Sequence, residues 1–417
     1  RALLELLGDD VALGRAARAA HTLGTQYTWP AVGREMLKLL ARASEVHEQP
    51  ARRHAAAIGT PPLPPLDHLE RLVDRGGIVQ HAVGLEPDRS TGYCVDDVAR
   101  LLLVADALAA RAAACPQLGA MAERSLAFLE EAWAPRSGSM HNLRDVGGTW
   151  LDEPHHGDHV GRTVWALGEV AGRPSPLALR SRSLLDAVVA AWPADAPPRA
   201  VAFAVLGLAR SSARPADAGV GPLRALADEL SGHYRRHRRP EWAWFEDELT
   251  YDNARLPQAL LAAAGPLHDA GLLAEGLESL DWYAQSCALG SGVVVLVGNR
   301  WRRRSANPTG RPPAEGDRGT EGDEQPLDAA ALVEACVEAY RSPGAPSWGQ
   351  HALEAYGWFS GANRWRTPVY DDLTGGCHDG VGPGGLNLNE GAESTLAHVQ
   401  AWVALDDAGL GPGRHRA

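Results

Sequence analysis

Asp97-Val98-Ala99-Arg100-Leu101-Leu102-Leu103-Val104-Ala105-Asp106-Ala107-Leu108-Ala109 is apolar on nearly every side once its first turn is passed. A half-buried strand would alternate, and a surface helix would keep one polar face, so this run predicts a helix buried all round. Further segments open with a charged or polar cluster and continue as compact apolar helix, at 161–171, 200–210, 252–264, 325–340 and 393–407. Interleaved with them are helices with one charged face, at about 66–75, 119–133, 178–192, 221–236, 268–288 and 346–359. Buried helices alternating with amphipathic ones are what a closed two-layer ring requires. The expected fold is all-α, an (α/α)6 toroid of six helical hairpins.

Two of the buried segments open alike. Asp97-Val98-Ala99-Arg100-Leu101 and Asp252-Asn253-Ala254-Arg255-Leu256 share the pattern Asp-x-Ala-Arg-Leu. As first and fourth inner helices they would stand opposite each other in a six-fold ring. The toroid is assigned to 66–417. Ahead of it, 47–65 reads as a charged and then Pro-rich linker (Pro61, Pro62, Pro64, Pro65), and 1–46 as a small helical unit. Only 293–297 reads as a strand, and 302–322 reads as a low-complexity, disordered stretch.

Composition narrows the function. A net charge of −12 disfavours a nucleic-acid or anionic-membrane partner. The one basic run, Arg300 to Arg304, reads as a solvated loop. Five scattered cysteines without a CxxC pair suggest reduced thiols and a cytoplasmic setting, and charged or Pro/Gly residues interrupt every apolar stretch before membrane length. The chain has no initiator Met and begins inside a helical pattern, so it reads as a fragment whose upstream part is lost. Thirteen Trp against four Phe supply flat faces suited to stacking on sugar rings as well as to core packing.

Inner helices of such a ring run parallel, so the loops entering their N-termini line one mouth. Free N–H groups and positive dipole ends there favour carboxylates and hydroxyl-rich ligands. Glycosidic cleavage usually needs two carboxyl groups, one to protonate the leaving oxygen and one to act as base or nucleophile. Asp97 and Asp252, across the mouth from each other, are the candidate catalytic pair, with Glu390 and Glu393 as alternatives. Tyr93, Asp96, Arg162, Trp242, Trp244, Tyr251, Glu324, Gln325 and Asn389 are candidate sugar-binding residues. Each Asp reads equally as a helix N-cap paired with the Arg three residues on, and each Glu as a solvated loop or first-turn residue. Gathered at one end of an apolar ring, however, the acids would be costly unless they served a site.

His155-His156-Gly157-Asp158-His159 has the residue types of a metal site but no standard zinc spacing, so a polar loop touching sugar hydroxyls is expected and neither metal nor cofactor. Thr374 to Gly385 is Gly-rich but lacks the Lys-Ser/Thr of a phosphate loop, and reads as a flexible rim leading into Asn389-Glu390-Gly391-Ala392-Glu393.

With these motifs assembled, residues 66–408 resemble the six-hairpin glycosidase superfamily. More narrowly, they resemble the helical domain fused behind some bacterial group 1 glycosyltransferases. The stretches that carry this are Gly92-Tyr93-Cys94-Val95-Asp96-Asp97-Val98-Ala99-Arg100, Gly161-Arg162-Thr163-Val164-Trp165-Ala166-Leu167-Gly168, Tyr251-Asp252-Asn253-Ala254-Arg255-Leu256-Pro257, Glu324-Gln325-Pro326 and Asn389-Glu390-Gly391-Ala392-Glu393-Ser394. Residues 1–46, with Trp29 to Glu35 framed by two helices, resemble the C-terminal tail of a family 4 glycosyltransferase. The superfamily includes hydrolases, lyases, phosphorylases and epimerases. The resemblance implies a glycan substrate and a glycosyltransferase domain upstream in the same polypeptide. The working expectation is a glycoside hydrolase-like enzyme; the alternative is a non-catalytic glycan-binding or structural domain supporting the transferase.

Overall fold

The computed structural model describes residues 63–111, 115–211, 220–307, 309–312, 321–342 and 345–410, with scattered positions before residue 63. The chain divides into two compact units, Arg1–Ile58 and Gly59–Ala417. The expected tail helices at 1–46 and most of the linker at 47–65 lie outside the described residues.

In the second unit the described residues form α1 (Asp67–Leu72), α2 (Val95–Ala109), α3 (Pro116–Ala132), α4 (Asp158–Gly172), α5 (Ala178–Ala190) and α6 (Pro198–Ser211). After these come α7 (Val220–His237), α8 (Arg255–Ala264), α9 (Ala270–Ser286), α10 (Pro326–Arg341), α11 (Trp348–Gly357) and α12 (Ala392–Asp407). The even-numbered helices each pack against the next, and α12 packs against α2, which closes the ring. Each odd-numbered helix lies outside it: α3 on α2, α5 on α4, α7 on α6, α9 on α8, α11 on α10, and α1 on α12. This is the (α/α)6 toroid that the alternation of helix types predicted.

Burial explains the layering. Every residue of α6 from Arg199 through Ala209 is buried, whereas α7 buries only Leu223, Leu226, Ala227, Leu230, Ser231 and Tyr234, one stripe at helical spacing. Local chemistry sets the helix starts. Pro116 and Pro326 open α3 and α10, where a missing N–H costs nothing. Asp269 caps α9 by accepting from the Gly271 and Leu272 amides at 2.9 and 3.1 Å.

The tightest seam of the ring joins α4 and α6. A Cβ at Gly168 would lie 2.5 Å from the Gly207 Cα, one at Gly207 2.7 Å from the Trp165 Cα, and one at Gly161 2.7 Å from the Ala200 Cα. Only glycine lets the two backbones meet at this distance.

Two expectations about irregular regions are corrected. Residues 293–297 are not a strand: Val294 makes one isolated bridge to Asn363, and the run is held instead by burial of Val294, Leu296 and Val297. The strands that do form are two-residue ladders, such as Tyr93–Cys94 with Leu143–Arg144 and Glu248–Leu249 with Arg302–Arg303. The basic run is also not simply a solvated loop. Arg302 is buried, grips both oxygens of Glu321 at 2.6 and 2.9 Å, and donates to the Ser286 and Gly310 carbonyls. That bidentate pair ties down both ends of the stretch expected to be disordered; residues 308 and 313–320 of it lie outside the described residues.

Candidate active site

The N-termini of the inner helices converge on one cavity of about 350 Å³. Its wall takes Asp96, Asp97 and Arg100 from α2, Asp158 and Arg162 from α4, Tyr251 from the turn before α8, Gln325 and Leu327 at the start of α10, and Glu393 from α12. Gln80, His81, Asp379 and Asn389 from loops, and Cys94 from the short strand before α2, complete it.

Two guanidinium groups organise the carboxylates. Arg100 donates through one Nη to Asp97 Oδ1 and through the other to Glu393 Oε2, each at 2.7 Å, and so holds the two acids on one fork. Asp97 is almost fully buried and also accepts from the Cys94 thiol at 3.1 Å, whereas the Glu393 side chain is 35% exposed, toward the cavity. Burial pushes both carboxyls above their usual range, and Arg100 opposes the rise without cancelling it.

Arg162 does the same one position round the ring. Its Nε lies 3.0 Å from Asp96 Oδ1, its Nη2 donates to Asp252 Oδ2 at 2.7 Å, and its Cζ sits 4.1 Å from the centre of the Phe203 ring. Asp252 in turn faces Arg255 at 3.4 Å, and Arg255 donates to Gln258 and to Glu334 Oε1 at 2.8 and 2.9 Å. Gln400 on α12 reaches the other Glu334 oxygen at 3.3 Å. A column of alternating charge thus runs down the ring axis from the cavity. Burial alone would raise Asp252, but Arg162, Arg255 and Arg100 outweigh it and hold its carboxyl below the ordinary value. Beside it, burial together with the Asp252 charge drives the Asp328 carboxyl well up, and the Asn253 amide and Arg199 do not offset the rise.

The predicted site residues divide accordingly. Asp96, Asp97, Arg162, Tyr251, Gln325, Asn389 and Glu393 come together at the cavity. Asp252 lies beneath it, 1% exposed, in a left-handed turn with φ of 48°. Neither Asp97 nor Asp252 is a cap: the N-cap of α2 is Cys94 and that of α8 is Ala254, and both acids are ion-paired to the Arg three residues on. Glu390 points away from the cavity: its carbonyl meets His68 Nε2 at 2.6 Å and its carboxylate faces His378. Glu324 is fully buried, bonded to Trp358 Nε1 and Arg364 Nε at 2.8 and 2.7 Å. Tyr93 is core, its hydroxyl on Asp74 and its ring edge-on to Phe128.

Trp242 and Trp244, expected as stacking platforms, are buried in the core instead, so neither offers a free face to a sugar. Trp242 donates to the Glu246 carbonyl, and Trp244 stacks on Tyr283 with centroids 5.1 Å apart. The Gly-rich segment does reach the cavity, through Asp379, but it is packed rather than loose: Gly375 and Gly376 lie against Pro65 and Glu390 too closely for any Cβ. His159 lies under Met140, its Nε2 3.2 Å from the Met140 carbonyl, and burial lowers its pKa. Among the described residues no cluster of three or more His, Cys, Asp or Glu is arranged to hold a metal ion.

Sequence reasoning missed Gln80 and His81, which lie in an irregular stretch with no local pattern. Asp158 and Asp379 were visible only as members of polar loops. Asp158 accepts from the Tyr251 hydroxyl, and Asp379 from Ser394 Oγ at 2.6 Å.

No protein-family model matches this chain, and no curated protein matches it. Solved structures do. A D-mannose isomerase superposes with a TM-score of 0.61 at 13% identity, covering 82% of this chain and 94% of its own. Cellobiose 2-epimerase from Bacillus thermoamylovorans B4167 gives 0.61 at 13% identity, over 83% and 96%. The cellulase Cel9M of C. cellulolyticum, solved with cellobiose, gives 0.50 at 9% identity, over 80% and 88%. At these identities the likeness is one of fold: the chain shares the (α/α)6 toroid with them. No described helix is long and apolar enough to cross a membrane.

Proposed function

We propose that the cavity at the inner-helix mouth binds a sugar and processes it by acid–base chemistry, with glycoside hydrolysis as the reaction. The observation that carries this is that Glu393 and Asp96, held by Arg100 and Arg162 respectively, both stand at the wall of one polar cavity. Glu393, open to the cavity and with its proton favoured by burial, is the general acid that protonates the leaving oxygen. Asp96, 22% exposed beside Arg162, is the base or nucleophile. Asp97 and Asp252, the first expectations for these roles, instead hold Arg100 and Arg162 in position, Asp97 from the wall itself and Asp252 from below. Gln80, Tyr251, Gln325 and Asn389 supply donors and acceptors for sugar hydroxyls.

A second reading, proton exchange on a free reducing sugar, is favoured by the small cavity and by the toroid shared with an isomerase and an epimerase. We further read residues 1–46 as a glycosyltransferase tail, on the Trp29 to Glu35 stretch, so that the glycan handled here would be acceptor or product of a transferase in the same polypeptide. The five unpaired thiols fit a reducing, cytoplasmic setting.

One experiment separates these readings. The full chain is incubated in D2O with α- and β-linked oligosaccharides and with free sugars, with and without phosphate, and followed by proton NMR. New reducing-end signals that vanish in folded Glu393→Gln and Asp96→Asn support hydrolysis. Deuterium entering next to the anomeric carbon without cleavage supports the second reading. Saturable binding without either change would overturn catalysis and leave a glycan-binding module.

A further inference from the structure

The charge of the cavity is unbalanced, and the imbalance bears on which sugar it selects. Asp96, Asp97, Asp158, Asp379 and Glu393 line it against the guanidinium groups of Arg100 and Arg162. Both guanidinium groups are already engaged: Arg100 lies between Asp97 and Glu393, Arg162 between Asp96 and Asp252. Asp158 and Asp379 have no such partner. Among the described residues each is held by a neutral hydroxyl alone, Tyr251 for the first and Ser394 for the second. They flank α2, one opening α4 and the other in the loop before α12. Beneath the wall lie two more carboxylates, Asp252 and Asp328, with Arg255 and Arg199 on the same layer. The remaining titratable groups of the lining are the Cys94 thiol and the Tyr251 hydroxyl, both pushed up by burial, and His81, which is exposed.

A uronic acid or sugar phosphate entering here would find both arginines already paired and the Asp96, Asp158 and Asp379 carboxylates facing it, an arrangement that costs binding. A neutral sugar would leave Asp158 and Asp379 facing only hydroxyls. A sugar ammonium would meet them in a charge-assisted hydrogen bond, roughly twice as strong as a neutral one. We propose that the cavity selects an amino sugar with a free ammonium group, held by Asp158 or Asp379. The selection rests on the reading of the cavity as a sugar site.

The test is equilibrium binding to the full chain by calorimetry and saturation-transfer NMR near neutral pH. The probes are glucosamine, galactosamine and mannosamine, each with its neutral parent, its N-acetyl derivative and the matching uronic acid. The expected result is that at least one amino sugar binds about tenfold or more tightly than its parent and its N-acetyl form. Uronic acids should not bind, and Asp158→Asn or Asp379→Asn should erase the margin. Neutral parents binding as tightly as the amines, or any uronic acid binding, would overturn the inference while leaving the sugar site standing. Binding of none of the probes would overturn both.

Discussion

Replacing Gly168 by alanine tests the seam on which the ring closes. The added Cβ would fall 2.5 Å from the Gly207 Cα and overlap its carbonyl, and both are backbone atoms that cannot swing aside. Overpacking of this kind costs about 1–3 kcal/mol when side chains can adjust. Here two helices must part, so the upper end applies. Alanine recovers about 1 kcal/mol over glycine in a helix interior, leaving a net loss of about 2 kcal/mol. Gly119 is the control: it sits within α3, is exposed, and has nothing within 4 Å of its would-be Cβ. Gly119→Ala should therefore stabilise, by about 0.5–1 kcal/mol. Thermal unfolding by calorimetry and circular dichroism reads both, each kcal/mol moving the midpoint by roughly 1–2 °C in a unit this large. A Gly168→Ala midpoint at or above that of the wild type would refute the close approach of α4 and α6.

Arg162→Met should cost about 3–5 kcal/mol, because Asp252 would keep its buried charge and lose its shortest ion pair, leaving Arg255 at 3.4 Å and the more distant Arg100. Arg180→Met, which removes an exposed pair of ion pairs to Glu123 and Glu130, should stay within about 1 kcal/mol; denaturant midpoints compare the two. Burial raises Glu324 to about 7 despite Arg364 and Trp358. The folded state therefore holds a proton that the unfolded chain releases earlier, and stability should fall as pH rises from the ordinary glutamate range through about 7. Glu324→Gln should flatten that decline in melting temperature, and an unchanged slope would count against it. Asp269→Ala, which strips the cap from α9, should lose about 1 kcal/mol in the same melts.

The layering was legible because burial on all sides leaves no polar face to misread: 198–211 can only be an inner helix, and 220–237, with its single stripe, only an outer one. The convergence of Asp96, Asp97, Arg162, Tyr251, Gln325, Asn389 and Glu393 followed from topology, since inner helices that run parallel must begin at one mouth. What topology could not supply was depth. Asp97 and Asp252 carry the same Asp-x-Ala-Arg-Leu, yet the first is inside α2 and the second in a left-handed turn three residues ahead of α8. One therefore lines the cavity and the other lies below it. Trp242 and Trp244 belong to a loop in sequence but to the core in space, because the apolar Trp242-Ala243-Trp244-Phe245 run folds under α9 toward Tyr283 and Trp282. Gln80 and His81 had no periodicity to reveal them. Their place at the wall depends on contacts with residues hundreds of positions away, such as the Gln80 carbonyl on the Ala392 amide.

The closure of α12 onto α2 gives this protein a different failure mode from an open helical array. In a solenoid the terminal repeat can fray or be trimmed at the cost of one interface. A closed ring has no terminal repeat. Arg100 and Glu393, 293 positions apart, form one of the bonds across that closure, and Gln400 completes the buried Glu334 beneath it. Loss of α12 would strip Arg100 of Glu393 and Glu334 of Gln400, and would open the inner faces of α2 and α10 to water in the same event. Damage at the C-terminal helix would therefore be felt as collapse of the first hairpin as much as of the last.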